Sequence, residues 1–202
     1  MVKLNKTPLL DKIKSHEDWR QHTPIRALLE KDCMGKCYIC EEKPKDVSTL
    51  TVDHVVSRQY NAALTYNWDN LLLACHHCNQ NVKGGKYNKI INPTVIDPEC
   101  LFDFGMTYDL RNVDIETNAS DEEVLETKQL LDEVYKNPML TQKLSASIKK
   151  LIRFMPNAIS GEDWALDYIR NEINRSSKFA AFKRKIIRDD PNLSEQLAEA
   201  LT

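Results

Sequence analysis

The sequence predicts an α+β fold, mostly helical, in which a small central region is held together by a metal ion. Two Cys-x-x-Cys pairs enclose 34 residues, a pattern typical of metal ligands. In the segment 49–56, apolar and polar residues alternate and β-branched residues are frequent, as is typical of strands. Beyond residue 120, apolar residues recur at helical spacing. We therefore divide the chain into an N-terminal arm and helix (1–32), a metal-stapled core (33–92) and a mainly helical C-terminal region (93–202).

The remaining elements are predicted from local signals. An N-terminal helix is expected over 18–31, either interrupted or restarted at Pro24, because proline is tolerated in a first turn. A short strand or turn over 68–74 leads into the second Cys pair. A helix that begins within 76–79 should end at Gly84 and Gly85, because glycine is preferred just past a helix. Strands are expected over 101–110. Helices are expected over 121–135, over 138–154 with Pro156 as the stop, over 161–188 with a break near 176–177, and after Pro191.

The composition excludes several classes of protein. The 202 residues carry a net charge of −2, which argues against a chain that coats nucleic acid by charge alone. A nuclease is not excluded, since only the field at its cleft must be positive. The N-terminus lacks the apolar stretch of a signal peptide, and no apolar run could span a bilayer. We expect a cytoplasmic protein without membrane contact, whose six cysteines favour metal over disulfides.

Charge is divided unevenly along the C-terminal region. Residues 97–133 contain twelve acidic and two basic residues, whereas residues 141–188 contain eleven basic and four acidic ones. The simpler interpretation is that both segments are solvated helix faces. The functional interpretation is a basic surface for nucleic acid and an acidic surface for a protein partner.

Four cysteines, Cys37, Cys40, Cys75 and Cys78, form the predicted metal site. Four thiolates suit tetrahedral Zn²⁺ in a closed structural site. The separation of the pairs is longer than in simple zinc ribbons, so a folded segment must lie between them. Two further cysteines complete the six. Cys33, four residues before Cys37, is an alternative ligand, and Cys100 is expected to be an ordinary small hydrophobic residue.

The residues between and beside the Cys pairs point to phosphodiester chemistry. Asp53 offers a hard oxygen ligand beside His54, an imidazole that can take a proton near neutral pH. Cleavage of a phosphodiester needs an activated water and a cation, and this pair can supply both. Asn70 can accept the His54 N–H and fix the ring. Asn79 can complete the cation site through its amide oxygen.

These motifs, in this order, resemble the HNH endonuclease (ββα-metal) family with paired zinc knuckles. The resemblance covers residues 37–86, about a quarter of the chain. It implies a ββα-metal core flanked by an N-terminal helix and a C-terminal helical region. It also implies that His54 is the general base, that Asn70 orients it, and that Asp53 and Asn79 hold the catalytic cation, Mg²⁺ or Mn²⁺.

Shorter cues resemble one branch of that family, the HNH subunit of Septu-type and retron-associated anti-phage defence systems. These cues are three short segments: Lys3-Leu-Asn-Lys near the N-terminus, Trp68-Asp-Asn-Leu-Leu-Leu before the second Cys pair, and Asn92-Pro to Asp97-Pro after it. The resemblance implies an effector nuclease that acts on DNA, or on RNA such as tRNA, and that an ATPase partner controls.

Two positions depart from the family pattern. The final position is Asn79 instead of His, which suits Mg²⁺ or Mn²⁺. The lysine that usually follows three residues later lies four residues later, at Lys83, so Lys86 or Arg58 are alternatives for binding phosphate. His76 and His77 lie inside the second Cys pair. Either both are exposed residues without a role in the site, or one of them replaces Asn79 as a ligand.

A second function class remains open. The four cysteines and the basic segment equally fit a non-catalytic zinc-stapled nucleic-acid-binding or adaptor module. That alternative does not require Asp53, His54 and Asn70 together, which is why we rank the nuclease first.

Overall fold

The computed structural model describes residues 1–9, 12–19 and 24–202. The described chain is mostly helical, with two small antiparallel hairpins, which confirms the predicted fold class. The strands are β1 (Thr51–His54), β2 (Leu71–Ala74), β3 (Asp103–Met106) and β4 (Val113–Glu116). The α-helices are α1 (Pro24–Asp32), α2 (Glu122–Val134), α3 (Pro138–Ile159), α4 (Asp163–Ile173), α5 (Ala180–Asp189), α6 (Pro191–Gln196) and α7 (Ala198–Leu201).

The central region is a hairpin followed by a helical turn. Strand β1 pairs with β2, so that Asp53 lies opposite Leu72 and His54 opposite Leu71. All four residues of β2 are buried. A π-helical segment, His77–Lys83, follows β2 and ends at Gly84, whose φ of +43° favours glycine. This β–β–helix order is the core arrangement expected from the sequence.

The N-terminal region contains a 3₁₀ turn and a helix that starts at Pro24, the residue at which the sequence allows an interruption or a restart. A 3₁₀ turn covers His16–Trp19, and α1 begins at Pro24, where proline is well tolerated as the first helical residue. Residues 20–23 of the helix expected over 18–31 lie outside the described residues.

Two predictions for the C-terminal region need correction. Helix α3 continues through Pro156 to Ile159, because the Ser160 amide still bonds to the Pro156 carbonyl at 3.1 Å. Pro156 lacks an N–H and crowds the preceding turn, but the helix closes one more turn after it. Strand β4 was not predicted; it pairs with β3 and buries Ile115 between exposed acidic residues. The break near 176–177 is present between α4 and α5.

Two clusters of buried apolar side chains hold the described residues together. The larger cluster runs from Met1 to Phe182 and joins the first hairpin to the second, to α2 and to the first part of α3. The smaller cluster packs the second part of α3 against α4 and α6. The proposed boundary at residue 93 stays a prediction, since the larger core extends across it.

The acidic and basic segments of the C-terminal region partly pair with each other. Glu99 is 3% exposed and lies 2.9 Å from Arg184, and it also accepts from Arg188. Asp97 pairs with Arg175 at 2.9 Å. Much of the basic charge is thus used inside the fold, and the surface available to nucleic acid is smaller than predicted. Among the described residues, Lys149, Lys150, Arg153 and Lys178 are exposed without an ion pair.

No helix within residues 1–9, 12–19 and 24–202 is both long and apolar enough to cross a membrane.

Candidate active site and zinc site

The four predicted zinc ligands meet in the structure. The Sγ atoms of Cys37, Cys40, Cys75 and Cys78 all lie within 4.8 Å of one another, and Cys40 and Cys75 are 3.9 Å apart. Four converging thiols at this spacing fit a tetrahedral Zn²⁺ ion. Backbone bonds hold the first pair against the hairpin, because the Tyr38 amide donates to the Leu73 carbonyl at 2.9 Å.

The two remaining cysteines lie outside this cluster. Cys33 is fully buried, and its Sγ accepts the Leu73 N–H at 3.2 Å. Burial raises the pKa of Cys33 to about 12, which keeps it a thiol. The alternative of Cys33 as a zinc ligand is therefore not supported. Cys100 is exposed, which corrects its interpretation as an ordinary hydrophobic residue.

A cleft of about 460 Å³ gathers most of the predicted active-site residues. Asp53 and His54 enter it from the end of β1, and Asn79 enters it from the π-helical segment. Arg58 and Lys83 also line it, whereas Asn70, Lys86, His76 and His77 do not. Neither knuckle histidine is therefore placed to substitute for Asn79. His77 instead lies 3.1 Å from the Val134 carbonyl of α2.

The His54 ring is held in its neutral form. Its Nε2 lies 2.9 Å from the Thr65 carbonyl oxygen, and because a carbonyl can only accept, Nε2 carries the proton. The unprotonated atom of the neutral ring is then Nδ1. Burial lowers the pKa of His54 below its ordinary value, although the Thr65 carbonyl and Asp53 oppose this shift. The ring is therefore ready to accept a proton at neutral pH.

Asp53 is a buried carboxylate with one free oxygen. Its Oδ2 accepts from the Tyr38 hydroxyl at 2.6 Å and from Lys83 Nζ at 2.7 Å. Among the described residues, Oδ1 has no hydrogen-bond partner, and Asp53 lines the cleft. One oxygen is thus held by the protein, and the other is available to a ligand.

Asn79 presents its amide oxygen in a similar way. Its Nδ2 donates to Thr51 Oγ1 at 2.9 Å and to the Val52 carbonyl at 3.4 Å. These bonds fix the orientation of the amide and leave Oδ1 without a described partner. Carboxylate and amide oxygens are the hard ligands that Mg²⁺ and Mn²⁺ prefer, so the donor set fits such a cation.

Among the described residues, Asn70 forms no hydrogen bond with the His54 ring, contrary to the prediction. Its Oδ1 accepts the Val56 N–H at 2.8 Å, and its Nδ2 donates to the carbonyls of Val56 and Leu64 at 3.0 and 3.2 Å. The next carbonyl, that of Thr65, holds His54. Asn70 therefore fixes the loop that carries the partner of His54, and its effect on the ring is indirect.

Lys83 has a different position from the one predicted. It is 2% exposed, and besides Asp53 it donates to the His54 carbonyl and lies 3.4 Å from the Tyr38 hydroxyl. This burial argues against direct binding of phosphate. The extra residue before Lys83 is accommodated by the π-helical segment, in which the Gly84 amide bonds to the Asn79 carbonyl five residues back at 2.9 Å.

Lys86 and Arg58, the two alternatives for binding phosphate, differ in their position relative to the cleft. Lys86 is exposed outside the cleft and pairs with Glu133 at 2.9 Å. Arg58 is exposed inside the cleft, and its described contact is with His16 Nε2 at 3.4 Å. Of the three candidates, the geometry favours Arg58.

The structure adds residues that the sequence analysis missed. His16 and Trp19, from the N-terminal 3₁₀ turn, line the same cleft. The Trp19 and His54 rings lie 6.0 Å apart, edge to face, and Tyr66 contacts both His16 and Trp19. These contacts join residues 35 or more positions apart, so no local pattern could have revealed them.

Comparisons with known proteins agree with this geometry. Residues 37–84 match the sequence model of the HNH endonuclease family. The knuckles, the β1–β2 hairpin and the π-helical segment therefore form an HNH-type domain, and the resemblance predicted from the motifs is confirmed.

The chain is also similar to the Septu protein PtuB of Bacillus thuringiensis. The two are 31% identical over 134 residues, which is 65% of this chain and 51% of that protein. The chain thus spans about half the length of this curated relative. A search of solved structures gave no match.

Proposed function

We propose that the protein is a metal-dependent HNH endonuclease that hydrolyses phosphodiester bonds of DNA or RNA. One observation carries this proposal. His54, with Nδ1 unprotonated, shares a cleft with two hard oxygen donors, Asp53 and Asn79, and with Arg58, a cation that has no ion pair among the described residues. A purely structural zinc module has no need for this combination.

In the proposed reaction, His54 Nδ1 takes a proton from a water molecule, which then attacks the scissile phosphorus while the bond from phosphorus to the leaving sugar oxygen breaks. The leaving oxygen is protonated by solvent, and the His54 ring returns its proton to solvent. Asp53 Oδ1 and Asn79 Oδ1 would hold the cation, Mg²⁺ or Mn²⁺. That cation supplies positive charge to offset the charge that develops on the phosphate and the leaving oxygen. The Thr65 carbonyl stabilises the imidazolium as it forms, because Nε2–H donates to it throughout.

Lys83 contributes by holding Asp53. Its ammonium fixes Oδ2 and neutralises part of the charge of the buried carboxylate before any cation binds. Asn70 contributes through the loop that carries Thr65. We regard both as positioning residues.

Cleavage of supercoiled plasmid and of total tRNA tests this proposal. The purified chain is incubated with each polymer and with Mg²⁺ or Mn²⁺, beside a His54→Ala variant whose zinc content and unfolding curve match the parent. We expect cation-dependent cleavage that the variant lacks. Equal cleavage by the variant would overturn the assignment of His54. If the parent binds either polymer but cleaves neither under either cation, the assay is repeated with an ATPase encoded beside its gene. Absence of cleavage there too would support the non-catalytic alternative.

The similarity to a Septu protein supports a role in anti-phage defence. We propose that the chain is the effector nuclease of such a system and that an ATPase subunit controls it. Since the β3–β4 hairpin and α3 expose Tyr108 and Ile152 outside the cleft, a partner could dock there without blocking substrate. Co-expression of the chain with an ATPase encoded beside its gene tests this. A stable complex is expected, and separate elution of the two chains would contradict the proposal.

A further inference from the structure

The N-terminal segment His16–Trp19 forms part of the cleft although it lies outside the HNH-type domain. The His16 and Trp19 ring centroids are 5.0 Å apart, and both rings contact Tyr66. Trp19 also contacts His54. This aromatic cluster fixes the segment against the domain, so its side chains are positioned relative to the proposed catalytic residues.

His16 links Tyr66 to Arg58 by hydrogen bonds. Arg58 Nη1 lies 3.4 Å from His16 Nε2, and since a guanidinium can only donate, His16 accepts there through an unprotonated Nε2. The neutral ring then carries its proton on Nδ1, which lies 3.1 Å from the Tyr66 hydroxyl oxygen and donates to it. The chain of bonds runs from Tyr66 through His16 to the guanidinium.

Arg58 retains unused binding capacity at this position. A guanidinium has five N–H donors, and within the described residues Arg58 uses one and faces no carboxylate. The other cation that lines the cleft, Lys83, is buried and bound to Asp53. Arg58 is therefore the exposed, unneutralised positive charge among the described residues of the cleft. Its planar fork matches the oxygens of a phosphate.

We propose that His16, Arg58 and Tyr66 form a phosphate subsite at the cleft, in which His16 positions the Arg58 guanidinium to bind a phosphate of the nucleic-acid backbone. The subsite rests on the proposed function, because it names how the same cleft holds its substrate. It makes the active site composite, with one residue supplied from outside the family domain.

Binding measured without cleavage tests the subsite. Labelled duplex DNA and labelled tRNA are titrated with the full chain in a His54→Ala background, over a range of salt concentrations. Arg58→Ala should weaken binding and reduce the slope of log affinity against log salt by about 0.9 for duplex or about 0.7 for single strands. Lys136→Ala removes an exposed cation that lies outside the cleft and outside the basic segment 141–188, and it serves as the charge control.

Variants of His16 separate positioning from simple packing. His16→Ala should weaken binding about three- to tenfold, the range of one hydrogen bond. His16→Gln keeps an acceptor for Arg58 and should restore most of the loss. In an Arg58→Ala background, His16→Ala should add nothing. Tyr66→Phe should cause a smaller loss than His16→Ala, and Tyr60→Phe, an exposed tyrosine without a described side-chain hydrogen bond, should cause none.

The outcomes distinguish the subsite from the nuclease assignment. An equal loss from His16→Ala with and without Arg58, or no loss in either, would overturn the subsite even if the parent cleaves. A parent that cleaves nothing, alone or with the ATPase present, while the coupling between His16 and Arg58 is intact, would overturn the nuclease and leave the subsite as a nucleic-acid-binding site. Thermal unfolding of each variant checks its fold, and if His16→Ala unfolds, the comparison of Tyr66→Phe with Tyr60→Phe decides instead.

Discussion

Replacing Lys83 with methionine should destabilise the protein more than any surface change. Methionine has nearly the same length as lysine but cannot donate to Asp53, 2.7 Å away. Both side chains are at least 92% buried, so the remaining carboxylate would keep only the Tyr38 hydroxyl as a partner on Oδ2. Breaking one side of a buried ion pair costs about 3–5 kcal/mol. We expect a loss in this range at neutral pH.

Urea unfolding of the zinc-loaded protein measures this loss. With a slope of about 2 kcal/mol per molar urea, the middle of the usual range, the midpoint should fall by about 2 M. Lys149→Met removes an exposed lysine and should change stability by less than about 0.5 kcal/mol. The double variant Asp53→Asn/Lys83→Met should be more stable than Lys83→Met alone, because no buried charge remains unpaired. A loss below about 1 kcal/mol for Lys83→Met would refute the buried pair.

Three further predictions concern the base, the zinc and the loop. Because burial lowers the pKa of His54 below its ordinary value of 6.5, the rate of cleavage should rise with pH through a midpoint below 6.5. A midpoint above 6.5 would contradict the neutral form of the ring and the effect of burial on its pKa. Removing zinc by chelation, or by the variant Cys75→Ala, should unfold the central region. Zinc binding contributes about 10–16 kcal/mol, whereas the whole free energy of unfolding of a domain is about 5–15 kcal/mol. If elemental analysis finds zinc retained in Cys75→Ala, the assignment of the site is contradicted. Asn70→Ala should lower the free energy of unfolding by about 1–3 kcal/mol and reduce the turnover number without loss of zinc. An unchanged turnover number would show that the loop held by Asn70 does not affect His54.

Some features of the site were predictable because they are local in sequence. Each Cys pair forms one turn, and the β-branched run before Asp53 forms β1, so spacing and alternation were sufficient. Glycine at residue 84 marked the helix end in the same way. The order of these motifs led directly to the HNH resemblance that the family match confirms.

Other features depend on contacts between distant residues. Lys83 was predicted to bind phosphate, but the π-helical segment directs its side chain into the interior, toward Asp53 thirty residues earlier. The aromatic contact between Trp19 and His54 spans a similar distance. Asn70 was assigned to the ring, whereas its amide binds a loop whose path no local pattern specifies. The prediction that Pro156 stops the helix was wrong, because proline disfavours an interior helical position but does not forbid it, and here the helix extends three residues beyond it.

Chemical rescue is the most direct test of the central claim that His54 is the general base. A His54→Gly variant leaves space beside the Thr65 carbonyl, into which free imidazole can diffuse. We predict that this variant cleaves slowly and that added imidazole increases its rate in proportion to the neutral imidazole present. Cleavage by His54→Gly at the parent rate, or a slow rate that imidazole never changes, would contradict the account.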